Sequence, residues 1–261
     1  MPNIAIKVLQ DGKSCRGGSW EWSLPTQGAG GEWLPGEWTP YIKPELCFQG
    51  WHLTRAPAHW WETKGDVRAY LAEYDGEVAG PSATRHDDST KFAVGKCRLL
   101  RPLTDNELFA HGVFLSGNHH TVPDDSVVGG TAWVREILNA RVLKIFGHAT
   151  VQNVVEHSSV LWMGGSATVN YLGGNATINY IGGQATVDRA VGHAIIRCGK
   201  GSAVVTAMGT SQVVIKAGTP TVHLYGRAVV IDYRDDKCVV HTTPQNGAIT
   251  ILPNGTTEVL E

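Results

Sequence analysis

Neither sign of charge accumulates along this chain. Lys and Arg number 22, Asp and Glu 24, and charged residues make up only 18% of the 261. Without a basic stripe, non-specific nucleic-acid binding has no electrostatic support. Long hydrophobic runs are missing too. None approaches the roughly 18 residues that mark a membrane span. The opening "MPNIAIKVLQDGKSC" has no basic stretch leading into an apolar core, so it does not read as a secretory signal. The expectation is no membrane and a cytoplasmic setting. Cysteines are few and scattered: Cys15, Cys47, Cys97, Cys198 and Cys238, an odd number with no C-x-x-C. That pattern reads as reduced thiols in a cytosol rather than a disulfide framework. No phosphate-binding Walker loop, no G-x-S-x-G elbow and no H-x-x-x-H pair occurs. The loop pair His119–His120 near Asp124–Asp125 lacks the ligand spacing of a metal site.

Glycine, by contrast, is plentiful at 31 residues, which favours many turns over long helices. Within "GGSATVNYLGGNATINYIGGQATV" the phrase G-x-A-T-(V/I) returns three times, nine residues apart. The beat extends further. Stepping by nine from Ala140 gives Ala149, Ser158, Ala167, Ala176, Ala185, Ala194, Ala203 and Gln212. Two positions later stand Val142, Val151, Val160, Val169, Ile178, Val187, Ile196, Val205 and Val214, all β-branched. Such self-similarity marks a repeat architecture. Side chains alternate along a strand, so the Ala and Val/Ile columns share one face while Thr150, Thr168, Thr177 and Thr186 face the other way. Glycine pairs supply the corners. A strand this short cannot bury its apolar side alone, whereas stacked copies can, which is a β-solenoid, or β-helix, of nine-residue rungs. Two rungs per coil give two faces and three give a triangle; the two-rung coil is the expectation. The stack is expected to continue with looser corners to about Pro253. "TAWVREILNA" has helix-like spacing at Trp133, Ile137 and Leu138 and reads as a cap on the first coil. The tail "GTTEVLE" is the candidate cap at the other end.

The first hundred residues show no repeat and hold seven of the nine Trp, between Trp20 and Trp61. "IAIKVL", "RAYLAEY" and "KFAVGKCRLL" alternate like strands. "APAHWWETKG" opens with a Pro-led helical turn, and "RPLTDNELFAHG" reads as a short helix capped by Thr104 or Asp105. The expected organisation is a small Trp-rich α+β domain over 1–105, a connector and solenoid cap over 106–139, and the solenoid over 140–256.

The order of motifs in the first part is Cys15–Arg16–Gly17, then Gly50–Trp51–His52, a strand from Glu73 to Val78, and Asp87–Asp88–Ser89 with Lys91. With "NARVLKIFGHATV" behind it, this resembles an uncharacterised domain family of phages and prophages that carries G-N-A-R-V-type repeats. More distantly, an R-G strand, a G-W-H-L-T segment, a helix and an acidic strand are similar in order to ADP-ribosyltransferase-like domains. That resemblance implies NAD as the substrate, held in a cleft. It implies Arg16 and Gly17 at a phosphate or ribose, Trp51 stacked on the nicotinamide and Thr54 lining its pocket. It further implies His52 and Glu73 as catalytic residues, with Glu77 and Asp88 behind Glu73. The late strand carries no E-x-E or Q-x-E pair. Two functions therefore stand side by side. One is an ADP-ribosyltransferase-like enzyme acting on a host or phage macromolecule and carried on a solenoid. The other is a non-enzymatic phage-associated binding or assembly protein, with a homo-oligomer built through the solenoid.

Overall fold

A computed structural model describes residues 2–15, 18–46, 48–80, 90–234, 238–244 and 247–260. The chain divides into two compact units, Met1–Gly112 and Val113–Glu261. Strand accounts for 53% of the chain and helix for 4%.

The first unit contains β1 (Asn3–Gln10), β2 (Lys13–Ser14), β3 (Thr26–Gln27), β4 (Trp33–Leu34), β5 (Trp51–Thr54), β6 (Val67–Ala79) and β7 (Lys91–Pro102). β1 pairs with both β5 and β6, and β7 bridges β5 and β6, so these four antiparallel strands close into a ring. Alternation sends Ala5 and Leu9 of β1, Trp51 and Leu53 of β5, and Tyr70 and Ala72 of β6 into one buried cluster. β7 contributes Phe92, Val94, Cys97 and Leu99. Register shifts in the β6–β7 pairing accompany the change of parity between Val94 and Cys97. The extended segment after β4 lies along β7, with Gly36, Thr39 and Ile42 donating backbone hydrogen bonds to Leu99, Cys97 and Gly95.

Among the described residues of this unit, helix is limited to a 3-10 turn, Pro57–Trp60, and α1, Asp105–Ala110. The unit is therefore mainly β, and the expectation of an α+β domain is corrected. Pro57 does start a turn, but the backbone becomes extended at Trp61 (φ −73, ψ 120), and Lys64–Gly65–Asp66 leads into β6. α1 forms as its sequence predicts. Thr104 Oγ1 accepts from the Glu107 N–H, the Glu107 carboxylate accepts from the Thr104 N–H, and Arg101 grips that carboxylate at 2.7 Å. This is a capping box, which satisfies two of the helix's orphan donors.

The second unit is a two-faced β-solenoid of about seven turns over residues 113–232. Alternate strands belong to alternate nine-stranded sheets. In one, Arg141–Ile145, Ser159–Met163, Thr177–Gly183 and Ile195–Gly201 stack in parallel. In the other, Trp133–Leu138, Thr150–Val155, Thr168–Leu172 and Thr186–Ala190 do the same. The pairing Thr150↔Thr168↔Thr186 fixes the coil at two nonapeptides. Val151, Val160, Val169, Ile178, Val187 and Ile196 are fully buried, as are Ala149, Ala167, Ala176, Ala185 and Ala194. Each buried Val or Ile contributes about 1.5–3 kcal/mol. Ser158 takes an Ala slot at 1% exposure, and its hydroxyl donates to Val155 O at 2.6 Å and Ile137 O at 3.0 Å.

Corners carry the left-handed backbone. Gly183 has φ +65, and a Cβ there would stand 2.8 Å from the N and O of Gly165 beneath it. Backbone hydrogen bonds continue through the corners, from Ser166 to Gly147 O, Gln184 to Gly165 O and Ser202 to Gly183 O, at 2.7–2.8 Å.

Three expectations for this unit change. The stack starts at Val113–Phe114 and Asn118–Thr121, so residues 113–139 are coil rather than connector and cap. "TAWVREILNA" is not a helix: Trp133–Leu138 is a strand of the stack. Finally, the parallel stack ends at Asp232, and Val239–Thr242, Ala248–Ile251 and Thr257–Leu260 close it as antiparallel strands. Near that end the frame slips by one residue. Ile195 pairs with Gln212, seventeen residues on, so Ser211 and Val213 point inward where Gln212 and Val214 were expected.

Candidate functional site

The β1–β5 pairing consists of a single register pair, Ile6↔Thr54, whereas β1 and β6 pair along all eight residues of β1. Between the diverging strands lies a cavity of about 430 Å³. Trp20, Trp22, Trp51, Trp60 and Phe48 supply its aromatic wall, Lys7 and Lys91 its cations, and Ser14, Cys15, His52 and Thr54 its other polar groups. None of the described lining residues is Asp or Glu.

Lys7 is the group that spans the split. It shares the inward parity of Ala5 and Leu9, is 5% exposed, and donates from Nζ to His52 O at 3.1 Å. Its ammonium sits 4.6 Å from the centroid of the Trp22 ring, a cation–π contact strengthened by desolvation. Burial pushes the Lys7 ammonium down from 10.5 to about 8, opposed by the neighbouring Cys97 and Cys15. The Cys97 thiol is itself pushed up to about 12 by burial, so its pull on Lys7 is outweighed by the desolvation. The Trp rings hold one another edge to face: Trp51 lies 5.1 Å from Trp20 and 5.4 Å from Trp22, centroid to centroid. Trp51 Nε1 donates to Pro40 O at 2.9 Å, which fixes that ring. At the other side, Lys91 Nζ stands 5.0 Å over the Trp60 ring.

Of the residues expected at a site, Trp51, His52 and Thr54 meet at this cavity. The Thr54 hydroxyl is already engaged, donating to Thr90 O and accepting from the Ala56 N–H at 3.0 Å. Glu73 is elsewhere. It lies on the opposite parity of β6 from the buried Tyr70 and Ala72 and forms a cross-strand pair with Arg98 at 2.7 Å. Arg16, Gly17, Asp87, Asp88 and Ser89 lie outside the described residues. Lys7, Trp20, Trp22 and Phe48 were not singled out from the sequence as site residues. The available signal was a lone lysine in the apolar run "IAIKVL", on the same parity as Ala5 and Leu9.

Among the described residues no His, Cys, Asp and Glu cluster is built to hold a metal, and no helix is long and apolar enough to cross a membrane. Compared with known proteins, the chain matches no family model, no curated protein and no solved structure.

Proposed function

We propose that the first unit binds a planar, anionic small molecule in the Trp-lined cavity, with NAD or its nucleotide halves as the ligand class, and that the solenoid is a scaffold presenting it. One observation carries this reading: a cavity of about 430 Å³ combining four Trp, two Lys and no described carboxylate. Its size lies in the usual range for small-molecule sites, about 300–1,000 Å³. Aromatic faces stack on a planar ring whatever its substituents, and two ammonium groups with no described carboxylate in the lining favour a negative ligand. The resemblance to a phage domain family followed by repeats supports a setting in phage or mobile-element assembly.

An ADP-ribosyltransferase acting on a host macromolecule is the second reading. It is favoured by Trp51, His52 and Thr54 lining one cavity. It needs a carboxylate to stabilise the oxocarbenium-like ribose, and Glu73 is paired with Arg98 away from that wall.

Calorimetric titration with NAD, ADP-ribose and nicotinamide mononucleotide tests the binding reading. The half-exposed Trp20 can be removed without opening the core, and Trp20→Ala is expected to weaken binding by about tenfold, the size of one lost stacking contact. Absence of heat and of thermal stabilisation with all three ligands sinks it. Nicotinamide release in the presence of lysate, abolished by Glu73→Gln, would establish the enzyme reading instead.

A further inference from the structure

A buried lysine normally has a carboxylate beside it. Lys7 has none among the described residues: its ammonium makes one hydrogen bond, to His52 O, and rests on the Trp22 face. It nonetheless lines a cavity wide enough for a small molecule. A carboxylate would hold the amine protonated; a backbone carbonyl and an indole face hold it in place and leave it able to shed its proton.

We propose that Lys7 is a carbonyl-capturing amine, which takes the aldehyde or ketone of a planar anionic ligand as an imine within the Trp-lined cavity. This rests on the cavity being a ligand site. In the step, the neutral Nζ lone pair adds to the carbonyl carbon, the carbinolamine loses one water, and C=N replaces C=O with no redox change. Lys91 at the same cavity adds a second positive charge beside the ligand's anionic group. The other titratable groups facing the cavity are Cys15 and His52, with Cys97 behind Lys7. With burial holding Lys7 near 8, roughly a quarter of the amine is neutral at pH 7.5, against about a thousandth for an ordinary lysine.

The probe is pyridoxal 5′-phosphate, reduced with borohydride and mapped by peptide mass spectrometry on the intact chain at pH 7.5. Pyridoxine 5′-phosphate, which has an alcohol in place of the aldehyde, is the control. The expected result is a reduced label on Lys7 at least about tenfold faster than on the exposed Lys13 and Lys64, allowing for restricted access. Pyridoxine 5′-phosphate should quench the cavity tryptophans without labelling, and Lys7→Met should lose the label. Label spread over exposed lysines, or an unlabelled Lys7, overturns the proposal in the wild-type chain whatever the variant does. If quenching persists while Lys7 stays unlabelled, the amine role fails and the binding reading stands. If quenching is absent as well, the amine role still fails, and the NAD titration alone decides the cavity.

Discussion

At the scale of single residues, two departures from the ordinary stand out, one in each unit. The first is Lys7, whose ammonium is held down near 8 by burial, against 10.5 for the free side chain. Between those values the unfolded chain binds a proton that the folded chain does not. Stability therefore rises with pH from about 8 to 10.5, and the penalty is fully present below 8. Over that window the change is on the order of 3 kcal/mol. Lys7→Met should remove it, so the difference in denaturation midpoint between wild type and variant should shrink steadily from pH 8 to 10; parallel curves would mean that Lys7 is not desolvated. The second departure is Glu156, a non-glycine corner at φ +60, in a column where Gly174 above it has φ +67. A side chain in the left-handed region costs about 1–2 kcal/mol, and glycine's extra chain entropy about half of that. Glu156→Gly should therefore stabilise slightly, while Gly183→Ala, with its Cβ 2.8 Å from Gly165 backbone, should destabilise by about 2 kcal/mol or more. Thermal unfolding of the two variants checks both signs. In the sequence Glu156 is the residue that stands where Gly147, Gly165 and Gly174 fall at multiples of nine, and Lys7 is a lone lysine in an apolar run; the left-handed backbone of the one and the cavity beside the other needed the structure.

At the scale of elements, the rung explains both what the sequence disclosed and where it misled. In the regular rungs the inward residues are the Ala slot, the position two later and the position five later, as in Ala167, Val169 and Leu172. Two outward residues, Asn170 and Tyr171, separate the last two. The helical look of "TAWVREILNA" came from Trp133, Ile137 and Leu138, but the inward pair of the strand is Val134 and Ile137, three apart and both fully buried, while Leu138 is exposed. The nine-residue count also holds only where coils keep eighteen residues. Trp133 pairs with Thr150 at seventeen and Ile195 with Gln212 at seventeen, so the first and last coils fall out of the count. In the last coils the strand recovers simple alternation, with Val205 and Ala207 both inward. The inward and outward faces give a direct test. Ile178→Asp places an unpaired carboxylate in a fully dry column and should cost more than about 4 kcal/mol. Thr177→Ser, on the outer face, should stay within about 0.5 kcal/mol. Chemical denaturation followed by circular dichroism reads both, and an Ile178→Asp variant as stable as wild type would refute the inward assignment. α1 was legible because its signal is local: Thr104 and Glu107 are three residues apart and need no distant partner. β1, β6 and β7 were legible as strands, while β5 was seen only as the G-W-H-L-T segment before a helical turn, and the ring was not legible because closure depends on pairings such as Asn3↔Tyr74, far apart in the chain.

At the scale of the whole molecule, each parallel stack must end, and the end exposes a row of backbone donors and acceptors. In the solenoid unit the last coil is covered by strands that run the other way: Val239–Thr242 on one sheet, Ala248–Ile251 and then Thr257–Leu260 on the other. Reversal fits this position because a parallel strand would need another full coil to reach it, whereas an antiparallel one returns through a short turn. Asp232, at the last parallel rung, is nearly buried and held by the Arg234 guanidinium at 3.0 Å. Burial opposes its ionisation, and the bonds to Arg234 outweigh that and hold its carboxyl below the usual range. The pair thus anchors the chain where its direction changes. The closing strands are edges in their turn, and Val239, Val240 and Val259 are 46%, 56% and 67% exposed. If these strands cap the stack, a chain ending at Arg234 should leave Thr221–Tyr225 and Val229–Asp232 as open edges and associate through them. Light scattering should then show mass rising with concentration in the micromolar range, and the melting temperature should fall. A Val240→Lys substitution in the full chain puts a charge on the outermost strand and should keep it monomeric at the same concentrations, since edge lysines block strand addition. A truncated chain that stays monodisperse with an unchanged melting temperature would show that the solenoid closes on its own last coil, and that the antiparallel strands serve a partner rather than the fold.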